Sequence, residues 1–442
     1  MPARNPILAG FNPDPSICRA GSDYFLAVSS MEFFPGIPIY HSKNLVDWQL
    51  IGHALSRPSQ IVIRGTKPGF GVFAPTLRYH NGRFYIATAI CTGWDDESST
   101  PRGFYVSTDD IWNETSWSDP IYFDILGIDQ DLFFDDDGRT YLSVAKRKNE
   151  GQPEPTWEAV WGVEVDLTTG RSLGQPTLLR RSTQAEGIAE GSHIFKRHDW
   201  YYLCVAEGGT EEYHQEWIFR SRSPLGPYEE PDTAMNPILH NPPHLSIRHT
   251  GHVDFLEGQD GRWWAVFLGV RPSSSGSAHL GRETFLAPVT WTADDWPVIN
   301  NGLPIGNVIC ADLPSNSSLS TWSDGFTEDP LTKGWYLSQT PFRKEYEIRG
   351  DHLALYGNGH SIHDSGSPAL LLKKQTFFSG SFSATLAFSP ADIYEEAGIT
   401  VFHSRYGFIA LFITKSPNSA ETEIVMRWTE EKTHRLKVRC QL

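Results

Sequence analysis

Four residues with acid–base side chains stand at equivalent places in four similar segments of this sequence. They are Asp14 in Asn-Pro-Asp-Pro-Ser, Asp129 in Gly-Ile-Asp-Gln-Asp, Glu190 in Ala-Glu-Gly-Ser-His and His252 in Thr-Gly-His-Val-Asp. Carboxylates gathered in one pocket repel each other, and repulsion and burial together raise the pKa of at least one of them. Because such a cluster opposes folding, it indicates chemistry.

Three acids in one pocket fit the requirements of glycoside hydrolysis. One carboxyl group protonates the leaving oxygen, and the other activates water or attacks carbon. A third acid can keep the pKa of the proton donor high and orient it. The sequence alone does not give the separation of these groups, so the residues leave the stereochemical course open.

Each residue also has a purely structural interpretation. Asp14 between two prolines is typical of a turn. Asp131 competes with Asp129, and Glu186 competes with Glu190, for the same role. His252 could be a hydrogen-bonded core histidine. The functional interpretation is favoured because the four residues recur at equivalent repeat positions.

An internal repeat predicts the elements that position these residues. Five segments about sixty residues apart each contain an apolar run, a polar turn with Gly or Asp, and an aromatic-rich run, which predicts a β-hairpin. They are DPSICRAGSDYFLAVSS from Asp14, APTLRYHNGRFYIATAI from Ala74, DLFFDDDGRTYLSVAK from Asp131, GSHIFKRHDWYYLCVAEGG from Gly191 and HVDFLEGQDGRWWAVFLG from His252. Second hairpins follow in HSKNLVDWQLIG, VSTDDIWNETSWSDP and, in shorter form, SRSPLGPYEEP.

The predicted fold is all-β. Residues 1–312 form a five-bladed β-propeller, residues 313–323 a Ser-, Asn- and Pro-rich linker, and residues 324–442 a β-sandwich with strands in GSFSATLAFSP from Gly380 and GFIALFITKS from Gly407. The first strand of each propeller blade lines the central channel. The four residues at the starts of these strands are therefore expected to converge on the axis.

Composition limits the partners. The 442 residues carry a formal net charge of −16, which argues against nucleic acid or an anionic membrane and fits a neutral glycan. The N-terminus lacks the apolar core of a secretory signal and no run reaches the ~18 apolar residues of a membrane span. We therefore expect a cytoplasmic protein, with secretion left open. The five cysteines show no metal-site spacing, and no metal-ligand set is predicted.

Several motifs resemble glycoside hydrolase family 43, in the branch of β-xylosidases and α-L-arabinofuranosidases. They are GFNPDPSI, EFFPG, HSKNLVDW, FAPTLRYHNGRFY, AEGSHIFK, AEGGT, GH at 251–252 and LGRET. The resemblance covers the propeller and extends into the sandwich, which is short compared with the family's usual module. It implies a five-bladed propeller, inversion of configuration and no organic cofactor. It also allows a structural calcium ion on the propeller axis.

The resemblance implies roles for individual residues. Asp14 would be the general base, Glu190 the general acid, and Asp129 the residue that modulates the pKa of the acid. His252 and Arg282 would contact the sugar or the acids.

The expected substrate-binding wall consists of Met31, Phe34, Phe73, Ile128 and Thr210. Met31 replaces a Phe of the relatives, Phe73 a Trp and Ile128 an aromatic residue, and Ser192 replaces a proline. These departures put the sugar specificity in question.

The expected activity is exo-acting hydrolysis that releases xylose from xylo-oligosaccharides, arabinofuranose from arabinoxylan, or both. Two alternatives are α-L-arabinofuranosidase as the main activity and a non-catalytic sugar-binding propeller. No nucleic acid or membrane partner is expected, and a homo-oligomer is left open.

Overall fold

The computed structural model describes residues 2–93, 100–146, 159–232, 235–309, 313, 321–419 and 421–429. Nearly all regular structure in these ranges is β-strand. The helical elements there are three 3₁₀ turns at Glu114–Ser116, Asn300–Gly302 and Pro330–Lys333. The all-β prediction is therefore confirmed. No helix in the described part of the chain is long and apolar enough to cross a membrane.

The first 21 strands form five antiparallel sheets that follow one another along the chain. The first sheet contains β1 (Ser16–Ala20), β2 (Asp23–Ala27), β3 (Gly36–Ser42) and β4 (Gln49–Leu55). The second contains β5 (Gly71–Val72), β6 (Thr76–His80), β7 (Arg83–Cys91), β8 (Arg102–Thr108) and β9 (Ile121–Tyr122). The third contains β10 (Ile128–Phe134), β11 (Thr140–Lys146), β12 (Ala159–Asp166), β13 (Arg171–Ser172) and β14 (Thr177–Arg181).

The remaining two sheets complete the propeller. The fourth contains β15 (Ala189–Arg197), β16 (Trp200–Glu207) and β17 (Gln215–Ser221). The fifth contains β18 (Arg248–Glu257), β19 (Trp263–Val270), β20 (Arg282–Trp291) and β21 (Pro297–Ile299). The strands β1, β6, β10, β15 and β18 contact one another in a closed ring, so the five blades surround one axis.

All five predicted hairpins are confirmed as β1–β2, β6–β7, β10–β11, β15–β16 and β18–β19. The second hairpin predicted from His41 is also present, as β3–β4. The one predicted from Val106 is only partly correct, because the buried Trp117 follows a 3₁₀ turn and lies outside a strand. The one from Ser221 is reduced to a bridge between Arg220 and Glu229. Its prolines lack the N–H groups that a full strand would need.

The N-terminal segment joins the last blade to the first. Leu8 forms a bridge with Thr284 of β20. The buried Asn5 side chain donates to the Leu286 carbonyl at 3.0 Å and accepts from the Leu286 N–H at 2.9 Å. These bonds close the ring by pairing the first residues of the chain with the fifth sheet.

The second module contains three small antiparallel sheets. They are β22 (Trp335–Leu337) with β25 (Leu371–Lys373), β23 (Tyr346–Arg349) with β24 (His352–Leu355), and β26 (Ala397–Ser404), β27 (Gly407–Lys415) and β28 (Thr422–Thr429). The strand predicted from Gly407 is confirmed.

The strand predicted from Gly380 is wrong. Residues 380–390 form no strand, and most of their side chains are exposed. An alternating sequence forms a strand only where one face can be buried against a partner. Most of the predicted linker lies outside the described residues, as do Cys310 and Cys440.

The second module packs against the first two blades. Phe34 and Leu337 exchange backbone hydrogen bonds of 3.0 and 2.7 Å. The Arg64 guanidinium donates to the carbonyl oxygens of Thr340 at 2.9 Å and Pro341 at 2.7 Å. Backbone groups of the second module are thus paired directly with the propeller.

We predict that Asn5→Ala destabilises the protein by about 2 kcal/mol or more, because it leaves a buried N–H and C=O of Leu286 without partners. Urea-induced unfolding measures this change. Asn307→Ala is the matched control, because Asn307 lies on the neighbouring segment with an exposed side chain. Equal stability of the two variants would show that Asn5 does not close the ring.

Candidate active site

The backbone is left-handed at the start of four innermost strands. The φ angles are 55° at Asp14, 56° at Asp129, 59° at Gly191 and 55° at His252. The strand pairing shifts register at three of these places, between Ile128 and Asp131, Glu190 and His193, and Gly251 and Asp254. Such conformations at non-glycine residues cost about 1–3 kcal/mol each and occur preferentially at active sites. They mark the level of the channel where the predicted acids lie.

Asp14 is held from two sides. Its Oδ1 lies 2.5 Å from Nη1 of Arg282, and its Oδ2 accepts a 2.5 Å hydrogen bond from the Ser29 hydroxyl. Nδ1 of His252 is 3.8 Å from Oδ1. Ser29 was not predicted from the sequence. The two donors fix the orientation of a carboxylate whose residue is only 4% exposed.

Asp129 is buried near Asp14. Burial raises the pKa of Asp129 to about 7, and the charge of Asp14 adds to the increase. The Gly191 N–H donates to Oδ2 at 2.7 Å and opposes this pKa shift. This hydrogen bond links Asp129 directly to the residue that follows Glu190.

Glu190 has the properties of a proton donor at neutral pH. Burial raises the pKa of Glu190 to about 8, and the nearby charges of Asp129 and Asp14 act in the same direction. The Arg282 guanidinium opposes them. The structure thus brings the three predicted acids and Arg282 together, with one acid favoured in the protonated form.

Two buried residues near His252, His214 and Glu216, were not indicated by the sequence. Burial lowers the pKa of His252 to about 4 and that of His214 to about 3, so both rings are neutral at pH 7. A Cβ at Gly251 would come within 2.6 Å of His214 Nε2, so the glycine lets the second ring pack behind the first. Glu216 accepts a 3.0 Å hydrogen bond from the Val253 N–H. A lone acid in an otherwise strand-like run was the only available signal for Glu216.

A second polar layer lies next to the acids along the same strands. The Arg78 guanidinium donates to Asp131 at 2.6 Å and to Asp254 at 2.8 Å. Its Nη2 is also 3.2 Å from Nδ1 of His193. Asp131 and Asp254 each follow a site residue by two positions, and this period of two along a strand was the signal that could have assigned both to the second layer.

The carboxylates of the second layer do not offer a calcium site. Calcium takes six to eight oxygen ligands, whereas the carboxylates of the second layer are already paired with the Arg78 cation. In the described ranges, no group of three His, Cys, Asp or Glu side chains is arranged to hold a metal ion.

The expected pocket wall is only partly brought together. Ile128 and Phe73 pack in one small cluster with Ala89 and Ala145, and the Phe73 ring stacks on Phe70. Met31 is buried and pairs through its backbone with Val72.

Phe34 and Thr210 are placed differently. Phe34 belongs to the hydrophobic core of the first blades. Thr210 is exposed in the loop after β16. The next three residues of that loop, 211–213, line an open recess of about 520 Å³.

Comparisons with known proteins identify the family of this chain. A family model described as Glycosyl hydrolases family 43 matches residues 3–297. The chain belongs to glycoside hydrolase family 43. A second model, described as Beta xylosidase C-terminal Concanavalin A-like domain, matches residues 323–441 of this family 43 protein and confirms the predicted sandwich. The protein is therefore a glycosidase acting on O-glycosyl bonds, which favours the enzyme over the non-catalytic alternative.

Individual relatives cover almost the whole chain of this glycosidase. A non-reducing end alpha-L-arabinofuranosidase of Bacteroides ovatus is 37% identical over 438 residues, covering 97% of this chain and 79% of that protein. Xylosidase/arabinosidase 43B of Humicola insolens is 34% identical, with coverages of 96% and 78%. The crystal structure of xylan beta-1,4-xylosidase from Bacillus halodurans matches with a TM-score of 0.89 at 30% identity, covering 100% of this chain and 85% of that one.

The raised pKa of Glu190 predicts a pH-dependent stability. Between pH 4.5 and about 8 the folded chain holds a proton that the unfolded chain releases, so stability falls as pH rises through this window. Glu190→Gln removes this effect. The free energy of unfolding of the variant minus that of wild type should therefore be at least about 1 kcal/mol larger at pH 8 than at pH 5. Thermal unfolding of both proteins at the two pH values measures the difference. Glu186→Gln serves as control, and the same gain in that variant would contradict the assignment.

Proposed function

We propose that this family 43 glycosidase is exo-acting and inverting, and that it releases terminal xylose or arabinofuranose residues. The proposal rests on one observation: Glu190, with a pKa raised to about 8, shares a buried site with an Asp14 carboxylate held by Arg282 and Ser29. An acid and a base in one pocket are what single displacement by water requires. The names of the relatives, which include arabinofuranosidase and xylosidase, support the sugar class.

In this mechanism the bond broken joins the anomeric carbon to the leaving oxygen. A water oxygen attacks that carbon while Asp14 accepts the water proton, and Glu190 transfers its own proton to the leaving oxygen. The products are the free sugar and the shortened chain. Asp14 then loses its proton to solvent and Glu190 regains one, which restores the starting state.

Asp129 acts on Glu190 and not on the sugar bond. Its charge raises the pKa of Glu190, and its hydrogen bond to the Gly191 N–H fixes the backbone beside the acid. It therefore keeps the donor protonated and correctly placed.

α-L-Arabinofuranoside hydrolysis is the second candidate for the main activity. Met31 and Ile128 are non-aromatic at positions where the xylosidase relatives are expected to carry aromatic rings, and both are buried near the site strands. A smaller wall of this kind favours a furanose or a branched chain end. The relative from Bacteroides ovatus, named as an arabinofuranosidase, points the same way.

We predict that Glu190→Gln lowers turnover of a disaccharide by about 10²–10⁴-fold, because a general acid contributes that much to proton transfer. The loss should be smaller for nitrophenyl β-D-xylopyranoside and nitrophenyl α-L-arabinofuranoside, because nitrophenolate leaves with little protonation. Initial rates on xylobiose and both chromogenic glycosides measure this, and the ratio of the chromogenic rates identifies the sugar.

Glu186→Gln is the matched control and should retain wild-type rates on all three substrates. An equal loss on xylobiose and on the nitrophenyl glycosides in Glu190→Gln would rule out Glu190 as the proton donor. Wild-type turnover of xylobiose by Glu190→Gln would also rule out Glu190 as the proton donor.

We also predict that Asp129→Asn moves the alkaline limb of the kcat/KM profile to lower pH. Removing the negative charge of Asp129 lowers the pKa of Glu190, so the donor loses its proton at lower pH. A pH–rate profile of the variant against wild type tests this. An alkaline limb that stays in place, or moves upward, would contradict the role of Asp129.

A further inference from the structure

A segment of the second module, Lys374–Phe378, lies against the propeller loop that precedes Asp14. The Lys374 Nζ donates to Oδ1 of Asn12 at 2.7 Å. At Gly10, where φ is 82°, a Cβ atom would collide with the carbonyl oxygen of Gln375. The two backbones therefore meet with no space for a side chain, and the lysine reaches past this contact into the propeller.

Asn12 connects the loop to both members of the Asp14–Arg282 pair. Its N–H donates to the Arg282 carbonyl at 2.9 Å, and it stands two residues before Asp14. Its carbonyl accepts from the Thr284 hydroxyl at 2.7 Å, and its Oδ1 also accepts from the Tyr40 hydroxyl at 2.9 Å. A shift of Asn12 would therefore move Asp14 and the backbone of Arg282 together.

The same segment contacts the loop by a second route. The Arg271 guanidinium lies 5.2 Å from the ring centre of Phe378 and forms bonds of 2.6 and 2.8 Å with Glu283. Glu283 accepts a 2.9 Å hydrogen bond from the Gly10 N–H and is adjacent to Arg282 in β20. Gly10 and Asn12 are thus both linked to the second module, Gly10 through Glu283 and Arg271, and Asn12 through Lys374.

We propose that Lys374 is a positioning residue for the general base, acting through Asn12. This inference rests on the proposed function for the role of Asp14, but the lysine contact itself does not. By holding Asn12, Lys374 fixes the loop that carries Asp14, so the second module takes part in turnover without contacting the reacting atoms. Burial lowers the pKa of the Lys374 amine to about 7, and the amine can donate to Asn12 in either protonation state.

Loss of this contact does not require the modules to separate. The Phe34–Leu337 pairing and the Arg64 hydrogen bonds do not involve the Lys374 side chain, and we expect them to persist when Lys374 is changed. A positional effect on the base can therefore be distinguished from detachment of the module.

The test compares Lys374→Met, Lys374→Arg and the control Lys344→Met, an exposed lysine of the same module. The kcat and KM values are measured on the chromogenic glycoside that wild type cleaves, well below every unfolding temperature. Lys374→Met should lower kcat about tenfold, since small misplacements of a reacting group reduce rates strongly, with KM changed less than about twofold. Lys374→Arg should restore most of kcat, and Lys344→Met should match wild type.

A second readout is independent of activity. Hydrogen–deuterium exchange of peptides covering residues 7–17 should be faster in Lys374→Met than in wild type, while peptides of the Phe34–Leu337 contact should not change. Wild-type kcat, or wild-type exchange of residues 7–17, in Lys374→Met would overturn the proposal. A wild-type protein that cleaves neither glycoside would refute the proposed function, and the exchange measurement would still decide the role of Lys374.

Discussion

The active site depends on a backbone constraint at the start of the innermost strands. Asp14, Asp129 and His252 all adopt left-handed conformations, as does Gly191 beside Glu190. This geometry is unfavourable for residues other than glycine, and it persists because the surrounding blades fix it. The closed ring of strands β1, β6, β10, β15 and β18 supplies that fixation, so the chemistry rests on the closure of the propeller.

The converging acids lie in different electrostatic surroundings. Asp14 receives donors from Arg282 and Ser29, whereas the partly buried Glu190 lies near other acids and has a raised pKa. Arg78 pairs with both carboxylates of the second layer, Asp131 and Asp254. The burial that raises the pKa of Glu190 also lowers the stability of the fold at alkaline pH.

Much of this structure could be predicted from the sequence, because hairpins and strand starts leave local signals. The five hairpins and the convergence of Asp14, Asp129 and Glu190 followed from a repeat of apolar runs and turns. The strand expected from Gly380 failed because alternation alone does not provide a partner strand. His214 and Arg78 were missed because their roles arise from contacts with other blades. Ser29 lies in the same blade as Asp14, but a single serine leaves no distinctive local signal. Lys374 was out of reach for the same reason, since its partner Asn12 lies 362 residues away.

In the proposed mechanism, Asp14 activates water for a single displacement while Glu190 protonates the leaving group. Proton NMR of the sugar released in the first moments of hydrolysis, before mutarotation, tests this most directly. The mechanism predicts that a β-xyloside first gives α-xylose, or that an α-arabinofuranoside first gives the β-anomer. Initial release of the anomer with the substrate's own configuration would mean a covalent intermediate, and it would contradict the assignment of Asp14 as a base.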